Sequence, residues 1–286
     1  MSRMTTLARQ GKAALELVHS MIYFAPEAAD AFAGLGLERG RMSYFAGRSA
    51  PMGAVGPGVV SATFYNFSPT SIATAIPRAW EITTPAEVVA ARFGAADGAL
   101  RRMLGDEELE SEAVAETAEL ARKASAACSP DGKPLFAAHA DLEWPQEPHL
   151  RLWHAVSLLR EFRGDAHIAA LQRGGLTGLQ ALVLHVATGQ SFTEQAALKT
   201  RGWTEDEWAA ARRELRERGL IDADGAITDR GTALREDIEA DTDAMSTAPW
   251  AALSEDEAQT LLQNGSRLSK ALSQAGALPQ GVFAKR

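Results

Sequence analysis

The sequence is short of cysteine and of long apolar segments. Cys128 is the only cysteine among 286 residues, so an intramolecular disulfide is excluded and a reducing compartment is expected. The uninterrupted apolar runs, such as MIYFA at 21–25, are far below the roughly 20 residues that a membrane-spanning helix needs. The first residues, MSRMTTLARQGKAA, lack the apolar stretch and cleavage site of a signal peptide. We therefore expect a soluble, cytoplasmic protein with no membrane partner.

Basic residues are scarce relative to acidic ones. The chain has 29 Lys and Arg against 37 Asp and Glu, which gives a formal net charge of −8. Affinity for nucleic acids comes mostly from Lys and Arg that neutralise phosphates, and the sequence shows no basic cluster that would offset the acidic total. The composition therefore argues against DNA as a partner.

Motifs for metal, nucleotide and serine-nucleophile chemistry are missing too. There is no HExxH, no cysteine pair and no GxSxG, and the Gly-rich stretch GAVGPG at 53–58 leads to no P-loop Lys. His19 or His154 could in principle serve as an axial haem ligand, but nothing else indicates haem. We expect no metal and no cofactor.

What the sequence does contain is helical periodicity. Between residues 5 and 24 an apolar stripe recurs at helical spacing, formed by Leu7, Gly11, Ala14, Leu15, Val18, Met21 and Ile22. Comparable patterns recur along the chain, and 46% of the residues are apolar, enough for a sizeable core. The predicted fold class is mainly α.

A proline-rich stretch divides the chain. Residues 128–149 hold four prolines and little periodicity, which predicts a linker packed on the surface between an N-terminal half at 1–127 and a C-terminal half at 150–286.

Near the linker, two predictions concern local structure. The pattern predicts a helix at about 148–163 and a separate one at 165–173, with Asp165 capping the second. Further on, an Asp-Gly tip between apolar residues predicts a short β-hairpin at 220–228.

The C-terminal half resembles a known family. LTGLQALVLHVA, TEDEWAAARRELRERGLI and DADGAITDRGTAL are similar to the core helix, the recognition helix and the wing of MarR-type winged-helix regulators, and the likeness covers residues 176–276. Over its whole length, including ATFYNFSPTSIATAIPRAW, the chain also resembles an actinobacterial family of helix-turn-helix proteins of uncharacterised function. The resemblance implies a winged-helix fold.

The chain also repeats its own plan. The segments around Leu104 and Leu253, 149 residues apart, each run from a long helix through a Leu-acidic junction into another helix. This spacing predicts two fused, winged-helix-like halves that form a pseudo-dimer in one chain. The first half is degenerate, because WEITT leaves no room for a wing.

The charge of the predicted recognition helix decides the function. Such a helix sets its N-terminal residues into the major groove, and here they are Thr204, Glu205, Asp206 and Glu207. Carboxylates at these positions repel phosphates, so we expect that the scaffold has been repurposed. A homodimer of the fused chain remains compatible with the sequence.

The resemblance implies a ligand cavity where the two halves meet, and aromatic and charged residues mark candidates for its walls. Tyr side chains offer an apolar face with a polar tip, and Arg48 could hold a ligand carboxylate. The predicted ligand-binding residues are Tyr44, Arg48, Tyr65, Phe67, Trp153, His154, Glu161, Arg163 and His167. The ordinary alternative is an aromatic core with satisfied hydroxyls and a buried ion-pair network around Glu161.

A catalytic site is the sharper hypothesis for the first half. His19 and Tyr23 share a helix face, and Glu27 follows the Pro26 turn, so the three could perform acid–base chemistry. The alternative is a histidine satisfied inside an apolar helix interface.

Three functions therefore stay open. The first is a protein that binds a small apolar or aromatic molecule between the halves, with or without turnover. The others are a ligand-responsive MarR-like transcription regulator and a cofactor-independent enzyme of secondary metabolism. Whether the protein is an enzyme is left undecided.

Overall fold

A computed structural model describes residues 2–190 and 193–278, and this part of the chain is mainly helical, as predicted. Residues 279–286, which the predicted C-terminal half includes, lie outside it. Within the described ranges no helix has the length and apolarity needed to cross a membrane.

Nine helices precede the proline-rich stretch in the described chain. They are α1 Arg3–Ser20, α2 Pro26–Gly34, α3 Arg41–Ser49, α4 Pro57–Phe64, α5 Pro69–Ala75, α6 Arg78–Ile82, α7 Pro85–Leu104, α8 Asp106–Leu109 and α9 Glu112–Ala126. Short 3₁₀ turns at Met21–Tyr23 and Ala50–Met52 follow α1 and α3.

Eight further helices follow among the described residues. They are α10 Pro134–Ala140, α11 Pro148–Arg173, α12 Gly178–Val186, α13 Glu194–Arg201, α14 Glu205–Glu217, α15 Asp229–Ala244, α16 Ala248–Ala251 and α17 Glu255–Gln274.

Capping residues fix where the principal helices begin. The side chains of Thr84, Thr177, Thr204 and Ser254 each accept a hydrogen bond from the backbone three residues on, and a Glu or Gln there bonds back, which forms a capping box. Each such cap contributes about 1 kcal/mol. These caps anchor α7, α12, α14 and α17.

Four long helices build the main core. The first helix, α1, packs on the last, α17, while α11 packs on α9 and on α1. The contact of α1 with α17 is close, because a Cβ at Gly265 would lie 2.5 Å from Leu15 Cδ2. The core therefore joins both ends of the chain.

A second, smaller core lies in the helix-turn-helix segment, which we define as α12 to α14 with the turn that follows. Leu184 of α12, Trp208 and Leu215 of α14, Ile221 of the turn and Ile238 of α15 are buried together. This segment thus has its own apolar interior beside the main core.

The proline-rich stretch at 128–149 contains a helix. Within 128–149 the chain forms α10, whose Leu135, Phe136 and His139 are buried, and α10 packs on α11. Pro134 provides the first turn of that helix, so the proline that indicated a loop instead begins a helix.

The predicted break at Asp165 is wrong. A single helix, α11, runs through this position, and the Asp165 carboxylate accepts hydrogen bonds from the backbone N–H of Leu135 and Phe136, each at 3.0 Å. Asp165 therefore caps α10, a helix distant in sequence, and not the helix that it was expected to begin.

The predicted hairpin at 220–228 is reduced to one antiparallel bridge between Ile221 and Ile227, and no strand is formed in the described chain. The Asp222 carboxylate accepts hydrogen bonds from the N–H groups of Asp224 and Ala226, each at 2.9 Å. These local bonds satisfy the tip of the turn, and the ladder extends no further.

Candidate functional site

A buried ion pair joins α3 to α11. Arg48 donates from Nε to Glu161 Oε1 at 3.0 Å and from Nη2 to Oε2 at 2.6 Å, and Glu161 has no exposed surface. Burial alone raises the pKa of the Glu161 carboxyl, but the charges of Arg48 and Arg160 outweigh burial and hold that pKa well below its usual range. Glu161 is therefore an anion that fixes the Arg48 guanidinium in place.

A chain of hydrogen bonds beside this pair sets the tautomer of His19. Ser157 donates to the Trp153 carbonyl at 2.8 Å, so its oxygen accepts from His19 Nδ1 at 2.9 Å. His19 Nε2 then accepts from the Tyr23 hydroxyl at 2.9 Å. Burial lowers the pKa of His19 well below its usual value and raises the pKa of Tyr23 to about 12, so both groups are neutral. The 4.0 Å approach of His19 Nε2 to Glu161 Oε1 is consequently not an ion pair.

Glu27, the third residue of the catalytic hypothesis, lies apart from this chain. Its carboxylate accepts hydrogen bonds from Arg102 Nε and Nη2, and the Arg102 bond lowers the pKa of Glu27. The structure brings His19 and Tyr23 together, and Glu161 takes the place beside them that was expected of Glu27.

Tyr44 links the pair to an aromatic cluster. Its ring centroid lies 5.2 Å from those of Tyr23 and Phe67, and Phe45 and Phe64 pack around it. The Tyr44 hydroxyl accepts a hydrogen bond from Arg48 Nη1 at 3.4 Å. Of the residues predicted from the aromatic pattern, Tyr44 therefore contacts the ion pair directly, and Phe67 contacts Tyr44.

A cavity of about 420 Å³, here called the large cavity, opens beside Arg48. It lies between α1, the end of α4, α11, α12 and α15. Of the predicted ligand-binding residues, Arg48, Tyr65, Arg163 and His167 line it. Glu161 lies directly behind Arg48 and holds it at the cavity wall.

Charged side chains of both signs line the large cavity, with cations in excess. Five cations, Lys12, Arg48, Arg160, Arg163 and Arg235, face three carboxylates, Glu16, Asp165 and Glu239. Arg160 pairs with Glu16 at 3.1 Å and Arg163 with Glu239 at 2.9 Å, whereas Arg235 makes no hydrogen bond or ion pair within 4 Å among the described residues. Lys12 and Arg235 were not predicted, because on amphipathic helices they read as ordinary surface cations.

His167 is uncharged at the cavity wall. Its Nδ1 donates to Thr242 Oγ1 at 3.0 Å, because that hydroxyl donates its own hydrogen to the Ile238 carbonyl at 2.7 Å. Burial lowers the pKa of His167 to about 4. His167 thus contributes a neutral ring with one nitrogen, Nε2, free to accept.

Tyr65 marks the seam between α4 and α12. It has a φ of 42°, a conformation that costs energy for a bulky residue, and its hydroxyl donates to the Leu176 carbonyl at 2.6 Å. A Cβ at Gly178 would lie 1.7 Å from the Tyr65 carbonyl oxygen, so only glycine allows this approach. Through these contacts Tyr65, which lines the large cavity, packs against the start of the helix-turn-helix segment.

A second cavity, of about 230 Å³, lies on the other side of Arg48 and is here called the small cavity. The first residues after α1, together with α2, α3 and Arg92 of α7, enclose it. Tyr23, Tyr44 and Arg48 line this cavity. Arg48 is therefore part of both cavity walls.

Besides Glu161, which lies behind Arg48, three predicted ligand-binding residues line neither cavity. Trp153 is buried beneath the Arg92 guanidinium, whose Cζ lies 4.9 Å from the ring centroid. His154 packs at 4.7 Å against the ring of Trp144, and Phe67 belongs to the aromatic cluster. All three are core residues in this structure.

The helix-turn-helix segment presents acidic groups at the start of α14. Glu205 and Asp206 are exposed there, while Glu207 bonds back to Thr204 in the capping box.

Of the arginines in or directly after α14, Arg212 and Arg216 make contacts within the segment, and Arg218 bonds to the backbone just before it. Arg213 is exposed and makes no hydrogen bond or ion pair among the described residues. Arg212 bonds to Glu194 at 3.4 Å, and Arg216 and Arg218 donate to backbone carbonyls. The exposed charges in the first turn of α14 that have no ion-pair partner among the described residues are therefore the carboxylates of Glu205 and Asp206.

The fold and the helix-turn-helix segment together define a helical protein with a helix-turn-helix unit. A family model described as a helix-turn-helix family matches residues 8–279, almost the whole chain, so the chain belongs to this helix-turn-helix family. No curated protein and no solved structure matches the chain.

Proposed function

We propose that the chain is a small-molecule-binding protein on a winged-helix scaffold of the MarR type, with its ligand in the large cavity. The observation that carries the proposal is the cavity itself, since about 420 Å³ lies within the roughly 300–1,000 Å³ of ligand pockets. The cavity lies between the helix-turn-helix segment and the long helices of the main core.

The proposal includes two fused halves, at 1–127 and 150–286. Helix starts support it, because seven helices of the first half have a counterpart that begins 136 to 145 residues later, close to half of the 286 residues. The pairs are α1 with α11, α3 with α12, α4 with α13, α5 with α14, α7 with α15, α8 with α16 and α9 with α17. In this assignment α6 stands where the second half has its turn at 221–227, the counterpart of a wing.

Helix packing supports the same assignment. The first helix of each proposed half packs on the last helix of the other, α1 on α17 and α11 on α9. Reciprocal exchange of this kind is what a two-fold dimer with swapped terminal helices would show.

The lining indicates the chemistry of the ligand. Phe64, Leu171 and Leu182 offer an apolar wall, which suits the apolar or aromatic body that we expected, and Arg235 offers an uncommitted cation. A ligand with an aromatic body and an acidic group satisfies both. His167 and Tyr65 add polar contacts at the wall.

The dye 8-anilino-1-naphthalenesulfonate, an aromatic anion, provides the test. We expect its fluorescence titration to saturate with the folded protein and Arg235→Gln to weaken its binding about tenfold, because a charge-assisted hydrogen bond is lost. Arg230→Gln, an exposed arginine on the same helix, is the matched control and should bind like the wild type. Equal binding by all three proteins would contradict the proposal.

Membership of a helix-turn-helix family favours a second candidate, a ligand-responsive DNA-binding regulator. We propose that DNA is not the main partner, because the first turn of α14 carries exposed Glu205 and Asp206, and Arg212 and Arg216 of that helix hold contacts inside the segment.

Turnover, by a cofactor-independent enzyme of secondary metabolism, is the third candidate. Both imidazole nitrogens of His19 already hold hydrogen bonds, so any proton would pass through the Tyr23 hydroxyl, which lines the small cavity. His19→Ala would then abolish turnover and leave binding in the large cavity intact.

A further inference from the structure

The small cavity is separate from the proposed ligand site and has its own chemistry. Its walls come from the residues after α1, from α2 and α3, and from one side chain of α7. Apolar and aromatic groups, Tyr23, Phe32 and Tyr44 among them, form most of the surface, and Phe24, which is 41% exposed, also lines it. An apolar cavity of about 150 Å³ holds benzene, so this one has room for a ring with a substituent.

Arg92 provides a cation without an anionic partner at this cavity. The residue is 4% exposed, and its Nη1 lies 2.9 Å from His139 Nε2. His139 donates from Nδ1 to the Leu135 carbonyl at 2.8 Å, and burial lowers its pKa to about 3, so it is a neutral acceptor. Arg92 Nη2 is buried and has no hydrogen-bond partner among the described residues.

The charges around the small cavity do not balance. Arg48 and Arg92 both line it, and no Asp or Glu does. The nearby carboxylate of Glu161 is already engaged, because it accepts hydrogen bonds from two nitrogens of Arg48, Nε and Nη2. A buried guanidinium with an unmet donor is costly, and an acceptor that carries negative charge offsets that cost best.

We propose that the small cavity is a second binding site, for a small carboxylic acid with an apolar body of about one ring. The carboxylate binds Arg92 Nη2 at the inner end, and the body packs between Tyr23, Phe32 and Tyr44. Because Arg48 lines both cavities, an anion bound in the small cavity also makes the electrostatic potential in the large cavity less positive.

Benzoate is the probe for this site, and benzamide is its neutral counterpart of nearly equal shape. Calorimetric titration of the full chain should show benzoate binding at least about tenfold more tightly than benzamide. Arg92→Gln should remove that preference, while Arg122→Gln, an exposed arginine of α9, should keep it. Equal affinity for the two probes, or full benzoate affinity in Arg92→Gln, would overturn the proposal.

Arg92→Gln disturbs contacts with His139 and Trp153, so circular dichroism must first show that this variant folds. A second variant leaves the buried arginine in place. Ala29→Leu fills the small cavity from a half-exposed position. It should abolish benzoate binding and leave the titration with 8-anilino-1-naphthalenesulfonate unchanged. Benzoate affinity at the wild-type level in Ala29→Leu would refute the small site. Loss of dye binding in Ala29→Leu would instead refute the placement of the dye in the large cavity.

Discussion

At the scale of single residues, the main feature is how the buried charged side chains are paired. Helical spacing pointed to Glu161, and a buried ion-pair network with Arg160 or Arg163 was the ordinary alternative to ligand binding. The partner that the structure shows is Arg48, which is 113 residues away in the sequence. Arg92 was not foreseen, although it follows Val88 by four residues and precedes Ala95 and Ala96, all buried on one stripe of α7. A lone arginine within an apolar stripe is the signal that could have found it. Its partner was unpredictable, since His139 is 47 residues away.

The Arg48–Glu161 pair can be tested by a double-mutant cycle. Glu161→Leu should lower the free energy of unfolding by about 3 kcal/mol, because it leaves Arg48 buried without its anion. The double variant Arg48→Met with Glu161→Leu should cost less than Glu161→Leu alone, since no uncompensated charge remains. Urea denaturation measures both, and costs that simply add would show that the two residues act independently.

His167 predicts a defined pH dependence of stability. Its pKa is about 4 in the fold against 6.5 for the free side chain, so between these values the unfolded chain binds the proton and the folded chain does not. Stability from this residue is complete above pH 6.5 and is lost as the pH falls towards 4. Between pH 6 and pH 5 the wild type should lose about 1 kcal/mol more than His167→Gln. Parallel losses in urea titrations at the two pH values would be inconsistent with a buried, neutral His167.

At the scale of elements, helices that end on local signals could be predicted and those that depend on distant partners could not. Thr177 and Thr204 begin α12 and α14 close to where the sequence indicated. The sequence did not predict that α11 continues past Gly164, because Asp165 resembled the cap of a new helix. In the structure its carboxylate accepts hydrogen bonds from the start of α10 instead. The same contact satisfies two of the first N–H groups of α10. Sequence patterns report local preferences, and tertiary contacts decide which of them hold.

The start of α14 carries the test of the DNA alternative. Replacing the exposed carboxylates, Glu205→Gln with Asp206→Asn, removes two negative charges and keeps the Thr204–Glu207 capping box. If these carboxylates repel DNA, the wild type should bind a random 30-base-pair duplex weakly at low salt, and the variant should bind more tightly. Fluorescence anisotropy measures both. Tight binding by the wild type, unchanged or weakened in the variant, would favour the regulator.

At the scale of the whole molecule, the two cavities share a wall at Arg48. The large cavity lies against α11, α12 and α15, and the small one against α2, α3 and α7. The larger cavity has several ion pairs in its wall, and the smaller one has a single guanidinium with a donor that is unmet among the described residues.

Hydrogen–deuterium exchange with and without saturating 8-anilino-1-naphthalenesulfonate tests the central claim most directly, because it reports where a ligand binds. We expect slower exchange in peptides from α12, from α15 and from residues 63–66, which enclose the large cavity, and no change in α13. Protection confined to residues 22–32, or exchange that is unchanged throughout, would contradict a ligand site between the helix-turn-helix segment and the main core.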